Sequence, residues 1–154
     1  MGVEPVLPTE ERVRAACREY DGDIAERALR ELFTQYPRNN DRAHVLLKVV
    51  ALNRLYSAGI LAVYDVANHI CQQEIDAALS NGAPEVVDKI AKVTISSSGK
   101  QRGFWSFATK YCSWHNQASY PMWDSRVCRY LRCLNKYLLS LNETPFGDPD
   151  YWTN

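Results

Sequence analysis

Apolar residues recur every three to four positions along most of this 154-residue chain, the spacing that gives a helix one buried face. The stretch "PTEERVRAACREY" starts at a capping Thr9, carries acids in its first turn, and places Val13, Ala16, Cys17 and Tyr20 on one side. In "DGDIAERALRELFTQYP" Asp23 stands three residues before Glu26, a capping-box spacing. The apolar stripe of that helix is Ala25, Ala28, Leu29, Leu32, Phe33 and Tyr36, and Pro37 ends it. A third, mostly buried helix spans "NNDRAHVLLKVVALNRLYSAG" and stops near Gly59. A fourth spans "ILAVYDVANHICQQEIDAALSNG", with Val63, Val66, Ala67 and Ile70 inward and Asn81-Gly82 as its stop. Pro84 suits the first turn of a short fifth helix, "PEVVDKIAKV". After the break at "TISSSG", a sixth helix covers about Lys100 to His115, and "NQASYPMW" is a loop. The seventh begins at Asp124 or Ser125, with Val127, Tyr130, Leu131, Leu134, Leu138 and Leu141 inward.

No strand alternation or internal repeat breaks this pattern. The expectation is one all-α domain over residues 1–154, of about seven helices. Within it lie an acidic helical half (1–96), a basic and aromatic half (97–141) and a turn-rich acidic tail (142–154). No apolar run approaches the roughly 20 residues of a membrane-spanning helix, so no membrane partner is expected. The acidic, Pro-bearing start "MGVEPVLPTEERV" has no secretion-signal pattern. Five scattered cysteines, an odd number, fit a reducing cytoplasm better than a disulfide framework. Cys112 and His115 share a helix face, but two ligands make no zinc site, and neither metal nor cofactor is expected.

Charge changes the picture. The formal net charge is zero, yet from Ser97 to Tyr137 seven basic residues face the single acid Asp124. The same stretch holds over half of the aromatic residues. Cations interleaved with rings are the footprint of a nucleic-acid surface, where cations meet phosphates and rings stack on bases. Arg126, Arg129, Arg132 and Lys136 fall within about 120° of one another on a 3.6-residue period, so they form one stripe. The acidic half offers a surface to a protein partner.

Three features then suggest chemistry. "SSSGK" is a polar turn leading into the sixth helix, where free amides, the hydroxyls of Ser97 and Ser98, Gly99, Lys100 and Arg102 would receive an anion. Lys100, at that helix start, would have its ammonium form disfavoured by the dipole, as an amine nucleophile requires. Asp124 opens the next helix and would cap it. About fifteen helical residues carry the chain about 22 Å away, and the loop back to Asp124 can span about 30 Å, so the two can meet. Lys110, further along and rotated from Lys100, is the runner-up amine.

The order "SSSGK…SFATKY…YPMWDSRVCRYL" resembles the helix-hairpin-helix superfamily of DNA glycosylases, in which a hairpin precedes a helix and a later segment supplies an aspartate. More closely, it is similar to small bacterial proteins with an 8-oxoguanine DNA glycosylase-like fold, which carry "SFATKYCSxHNPxxYPIYDSxV". The likeness spans about Asp41 to Leu141 and includes "LKVVALNRLYSAGI" and "VVDKIAKVTI". It implies a helix-hairpin-helix-like element, DNA as partner, and base excision repair by an enzyme that excises an oxidised purine. In that chemistry the Lys100 amine attacks the sugar to form a Schiff base and Asp124 stabilises the developing positive charge. Trp105, Trp114, Tyr120 and Trp123 would stack on the flipped base, with Arg126 and Arg129 on phosphates. His115-Asn116 would cap the sixth helix and order the loop, with substrate contact by His115 as the lesser reading. The chain departs from the superfamily in its serine-rich turn, in Gln101 at the ungapped lysine position, and in having no iron–sulfur cysteine cluster. Two other readings are a catalytically inactive nucleic-acid binder on the same scaffold and a protein–protein interaction module.

Overall fold

The computed structural model describes residues 7–20, 23–145 and 147, without the Tyr20 side chain. Among them are eight α-helices and one two-stranded β-ribbon, so the chain is all-α in class. Its contacts group into two units: residues 24–122, and the two flanking segments that end at Asp23 and begin at Trp123.

The 24–122 unit contains α2 (Ile24–Gln35), α3 (Arg42–Leu55), α4 (Val63–Gln72), α5 (Asp76–Ser80), α6 (Glu85–Ala91), β1 (Lys92–Thr94), β2 (Gln101–Gly103) and α7 (Trp105–His115). α3 packs against α2, α4 and α7, and α6 lies along α7. Their shared core includes Leu29, Phe33, Val49, Leu52, Ile70, Ile90, Phe107 and Tyr111. Asp41 caps α3 by accepting hydrogen bonds from the amides of Ala43 and His44. The buried face of α3 is Val45, Lys48, Val49 and Leu52, while Leu47, Val50 and Leu55 remain exposed.

Two boundaries differ from the sequence-based expectation. The single fourth helix is two, broken where Glu74 takes a left-handed φ of 49°. The break drops Ile75 into the core and turns the Asp76 carboxylate to Asn39, whose amides it accepts at 2.7 and 3.1 Å. Those tertiary contacts hold a backbone angle that costs a non-glycine residue on the order of 1 kcal/mol. The second difference is the β-ribbon. Instead of a fifth helix reaching Val93 and a sixth starting at Lys100, Lys92–Thr94 pairs antiparallel with Gln101–Gly103. A β-ribbon thus lies between α6 and α7, where a helix-hairpin-helix-like element was expected. Gly103 belongs there because a Cβ would stand 2.8 Å from the Trp105 Nε1 atom.

The flanking unit holds α1 (Glu10–Tyr20) and α8 (Ser125–Ser140). The Thr9 hydroxyl accepts from the Arg12 amide at the start of α1. Of the expected inward face of α1, Val13, Ala16 and Cys17 are exposed, and the Tyr20 side chain lies outside the described residues. On α8 Cys128 and Leu134 are buried, whereas Leu141 lies past the helix end and is exposed. Much of the expected acidic tail lies outside the described residues. No helix among the described residues is long and apolar enough to cross a membrane.

Candidate functional site

The turn "SSSGK" connects β1 to β2. Lys100 therefore precedes a strand, and α7 starts only at Trp105, so no helix dipole acts on the Lys100 amine. Several amides of the turn are engaged. The Ser96 N–H donates to Asp65 Oδ2 at 3.1 Å, the Gly99 N–H to Ile95 O at 2.8 Å, and the Lys100 N–H to Ser98 Oγ at 3.3 Å. The expected cradle of free helix amides is thus absent from this turn, because the chain closes it on itself with Gly99 at φ +65°. What remains is side-chain chemistry: Ser97, Ser98, Lys100 and Arg102 are exposed.

Lys110 has the opposite environment. It is buried on α7, donates to Ser106 Oγ at 2.8 Å, and places its ammonium 5.5 Å from the Tyr56 ring centre. Asp124 belongs to the flanking unit, where its Oδ1 caps α8 by accepting from the amides of Arg126 at 2.9 Å and Val127 at 3.0 Å. The outer face of α8 presents Arg126, Arg129, Arg132 and Lys136 to solvent, as the helical period predicts.

The expected stacking platform is largely core. Trp114 and Tyr120 are 9% and 4% exposed. The Trp114 indole donates to the Tyr56 hydroxyl at 3.2 Å, and the Tyr120 hydroxyl donates to Ala83 O at 2.9 Å. Both polar ends are satisfied inside the protein, so neither ring is offered to a base. Trp105 and Trp123 are half-buried, and Trp105 carries the Lys92 ammonium 5.5 Å from its ring centre.

A second polar assembly was not anticipated from sequence. Lys48 is fully buried, and its ammonium donates to Tyr36 O and Arg38 O at 3.0 Å and to Asn39 Oδ1 at 2.7 Å. Those three oxygens use its three protons. Asn39 is the hub: Oδ1 also accepts from the Tyr111 hydroxyl, and Nδ2 donates to Asp76. The buried cation is thus linked to a carboxylate through a neutral amide. Burial pushes Lys48 down from 10.5 to about 8, with Asp76 pulling the other way. His115 Nε2 lies 3.4 Å from the Lys48 nitrogen. Burial first, and Lys48 second, depress His115 from 6.5 to about 3, so it is neutral at ordinary pH. Its ring meets Phe33 edge-on, with centres 4.9 Å apart. Asn116 donates to Leu79 O and Ser80 O of α5, and its Oδ1 accepts from the Ser119 amide of the following loop at 3.3 Å. Lys48 was legible in principle: "VLLKVV" puts a lysine on the buried i, i+3, i+4, i+7 face of α3.

His115 and Pro37 border two cavities. One, of about 460 Å³, adds Arg38, Asp76, Ala77, Leu79 and Ser80. The other, of about 370 Å³, adds Arg30, Phe33, Thr34, Trp114 and Gln117. Neither Lys100 nor Lys110 lines either one. Among the described residues no group of three His, Cys, Asp or Glu side chains is placed to hold a metal.

Residues 11–119 match the family HI_0787_N, described as an N-terminal domain. The chain belongs to that family. It is 44% identical over 85 residues to a Haemophilus influenzae protein described as uncharacterized, a match covering 54% of this chain and 41% of that relative. The chain thus spans about two fifths of the length of the curated relative it matches. No solved structure matches it.

Proposed function

We propose that this protein binds nucleic acid, with DNA as the partner, through the cationic face of α8. The observation that carries the reading is the charge pattern of α8. Three cations outside α8 pair with an acid one turn away, Arg14 with Glu10, Arg30 with Glu26 and Lys92 with Asp88, all at i, i+4. α8 contains no acid at all, and its four cations follow one another at spacings of three and four along one solvent face. Each such like-charge neighbour costs a helix about 0.2–0.5 kcal/mol. A polyanion removes that repulsion, whereas an ordinary solvated helix intersperses glutamates. The likeness to DNA glycosylase-fold proteins supports DNA as that polyanion.

Binding is the part of the glycosylase reading that the geometry supports best. Excision of an oxidised purine with Lys100 as amine and Asp124 as carboxylate is its catalytic form. Its weaker support is that Lys100 stands exposed on a turn and that the caps of α8 already occupy Asp124 Oδ1. The interaction-module reading differs from both in needing no DNA.

Fluorescence anisotropy with duplexes bearing guanine, 8-oxoguanine or an abasic site, over a salt series, tests the proposal. Binding should weaken with salt at about 0.9 log–log units per phosphate contacted. Replacing Arg126, Arg129, Arg132 and Lys136 by glutamine should reduce that slope by about three to four units. No binding at low salt, or an unchanged slope in the variant, would refute it. Borohydride trapping on the abasic duplex, lost in Lys100→Gln, would add the catalytic form.

A further inference from the structure

The larger cavity carries two opposite charges that do not neutralise each other. The Arg38 guanidinium makes no hydrogen bond or ion pair among the described residues, yet its backbone is pinned, because its carbonyl accepts from buried Lys48 at 3.0 Å. Among the described residues the Asp76 carboxylate on the same cavity accepts hydrogen bonds only from Asn39, and the Lys48 ammonium attracts it through space: Oδ1 takes the side-chain amide at 2.7 Å and the backbone amide at 3.1 Å, and Oδ2 has only a 3.3 Å contact with that backbone amide. Each carboxylate oxygen has two lone pairs, so Oδ2 keeps accepting capacity. Pro37, Ala77 and Leu79 add apolar wall, and His115 closes one side as a neutral imidazole. The volume of about 460 Å³ is in the range of small-molecule sites.

A simple anion in this cavity would meet the Asp76 carboxylate, and a simple cation would meet Arg38. A ligand with both ends satisfies both. We propose that the cavity bounded by Pro37, Arg38, Asp76, Leu79, Ser80 and His115 binds a small zwitterion of the α-amino-acid type. Its carboxylate lies on the Arg38 guanidinium, its ammonium on Asp76 Oδ2, and its side chain against Pro37 and Leu79. The planar fork of arginine matches a carboxylate through two parallel hydrogen bonds, which fixes orientation as well as charge. The Lys48–Asn39 hub serves this site by holding both the Arg38 backbone and the Asp76 side chain. The inference does not depend on nucleic-acid binding.

The test titrates the full chain with the proteinogenic amino acids, following the His115 ring resonances by NMR and affinity by calorimetry. The best amino acid is then compared with its N-acetyl form, which lacks the cation, and its amide, which lacks the anion. The free amino acid should shift His115 and bind at least tenfold tighter than either blocked form. Arg38→Gln, a change at an exposed side chain that leaves the core intact, should weaken it at least tenfold. Asp76→Asn should do likewise. Absence of any His115 shift at millimolar amino acid overturns the proposal. So does equal binding by the N-acetyl form or inorganic phosphate, which would make this an anion site, or by the amide, which would make it a cation site. Affinity unchanged in Arg38→Gln overturns it as well.

Discussion

Replacing Lys48 by methionine keeps the length of the side chain and removes its buried charge, so the variant separates two opposing effects. A depression from 10.5 to about 8 means that holding the ammonium inside costs on the order of 3 kcal/mol relative to the neutral amine. Against this, the three oxygens of Tyr36, Arg38 and Asn39 lose their donor, at about 1–3 kcal/mol each. The second effect is larger, and Lys48→Met should be less stable at pH 7 by on the order of 2–3 kcal/mol. The pH dependence is the sharper test. Between pH 8 and 10.5 the unfolded chain holds more protons at Lys48 than the folded one, so this group's contribution to stability rises with pH. It is complete above 10.5 and lost as pH falls through about 8. From pH 7 to 9 the gain amounts to about 1 kcal/mol. Cys112, pushed from 9.0 to about 12 by burial, acts in the opposite sense above pH 9, which is why the comparison stops there. Urea unfolding of both proteins at half-unit steps measures the gap between them. That gap should widen by about 1 kcal/mol over the window. Parallel profiles would mean that Lys48 does not titrate near 8, and the argument for a charge held by the Asn39 hub would fail.

Other expectations follow from the same contacts. His115 should stay neutral down to about pH 3, while the unfolded chain protonates near 6.5, so stability falls by up to about 1.4 kcal/mol per pH unit between those values. An NMR titration midpoint near 6.5 in the folded protein would refute that burial. Asp124→Ala removes a helix cap and should cost about 1 kcal/mol in thermal or urea unfolding; no loss would mean the cap is not formed in solution. Gly103→Ala drives a methyl toward the Trp105 indole and should destabilise by about 1–3 kcal/mol, with a change in tryptophan fluorescence. An unchanged emission spectrum and melting temperature would show that the indole does not lie on β2.

Most of the helical architecture could be read along the chain because its causes are local. Amphipathic spacing, the caps at Thr9 and Asp124, and the stops at Gly59 and Gly82 all act within one or two turns. The basic stripe of α8 was legible for the same reason. The β-ribbon was not: its strands are three residues long, and β2 is exposed along its whole length, so no alternation marks it. Nor was the break before α5, where no glycine or proline stands and the left-handed Glu74 is held by contacts of its neighbours with distant segments. Composition also could not divide the rings. Trp114 and Tyr120 have the same side chains whether they stack on a base or fill a core, and only their partners Tyr56 and Ala83 decide. The Lys48 hub joins residues up to 72 positions apart. What the sequence by itself determined was the all-α class, most of the helical segments, the caps at Thr9 and Asp124 and the segregation of charge, since those depend on neighbours three or four residues away. Tertiary structure alone decided which polar groups are buried together and which cavity they border, because satisfying a buried ammonium or carboxylate requires oxygens and amides that the chain brings from elsewhere.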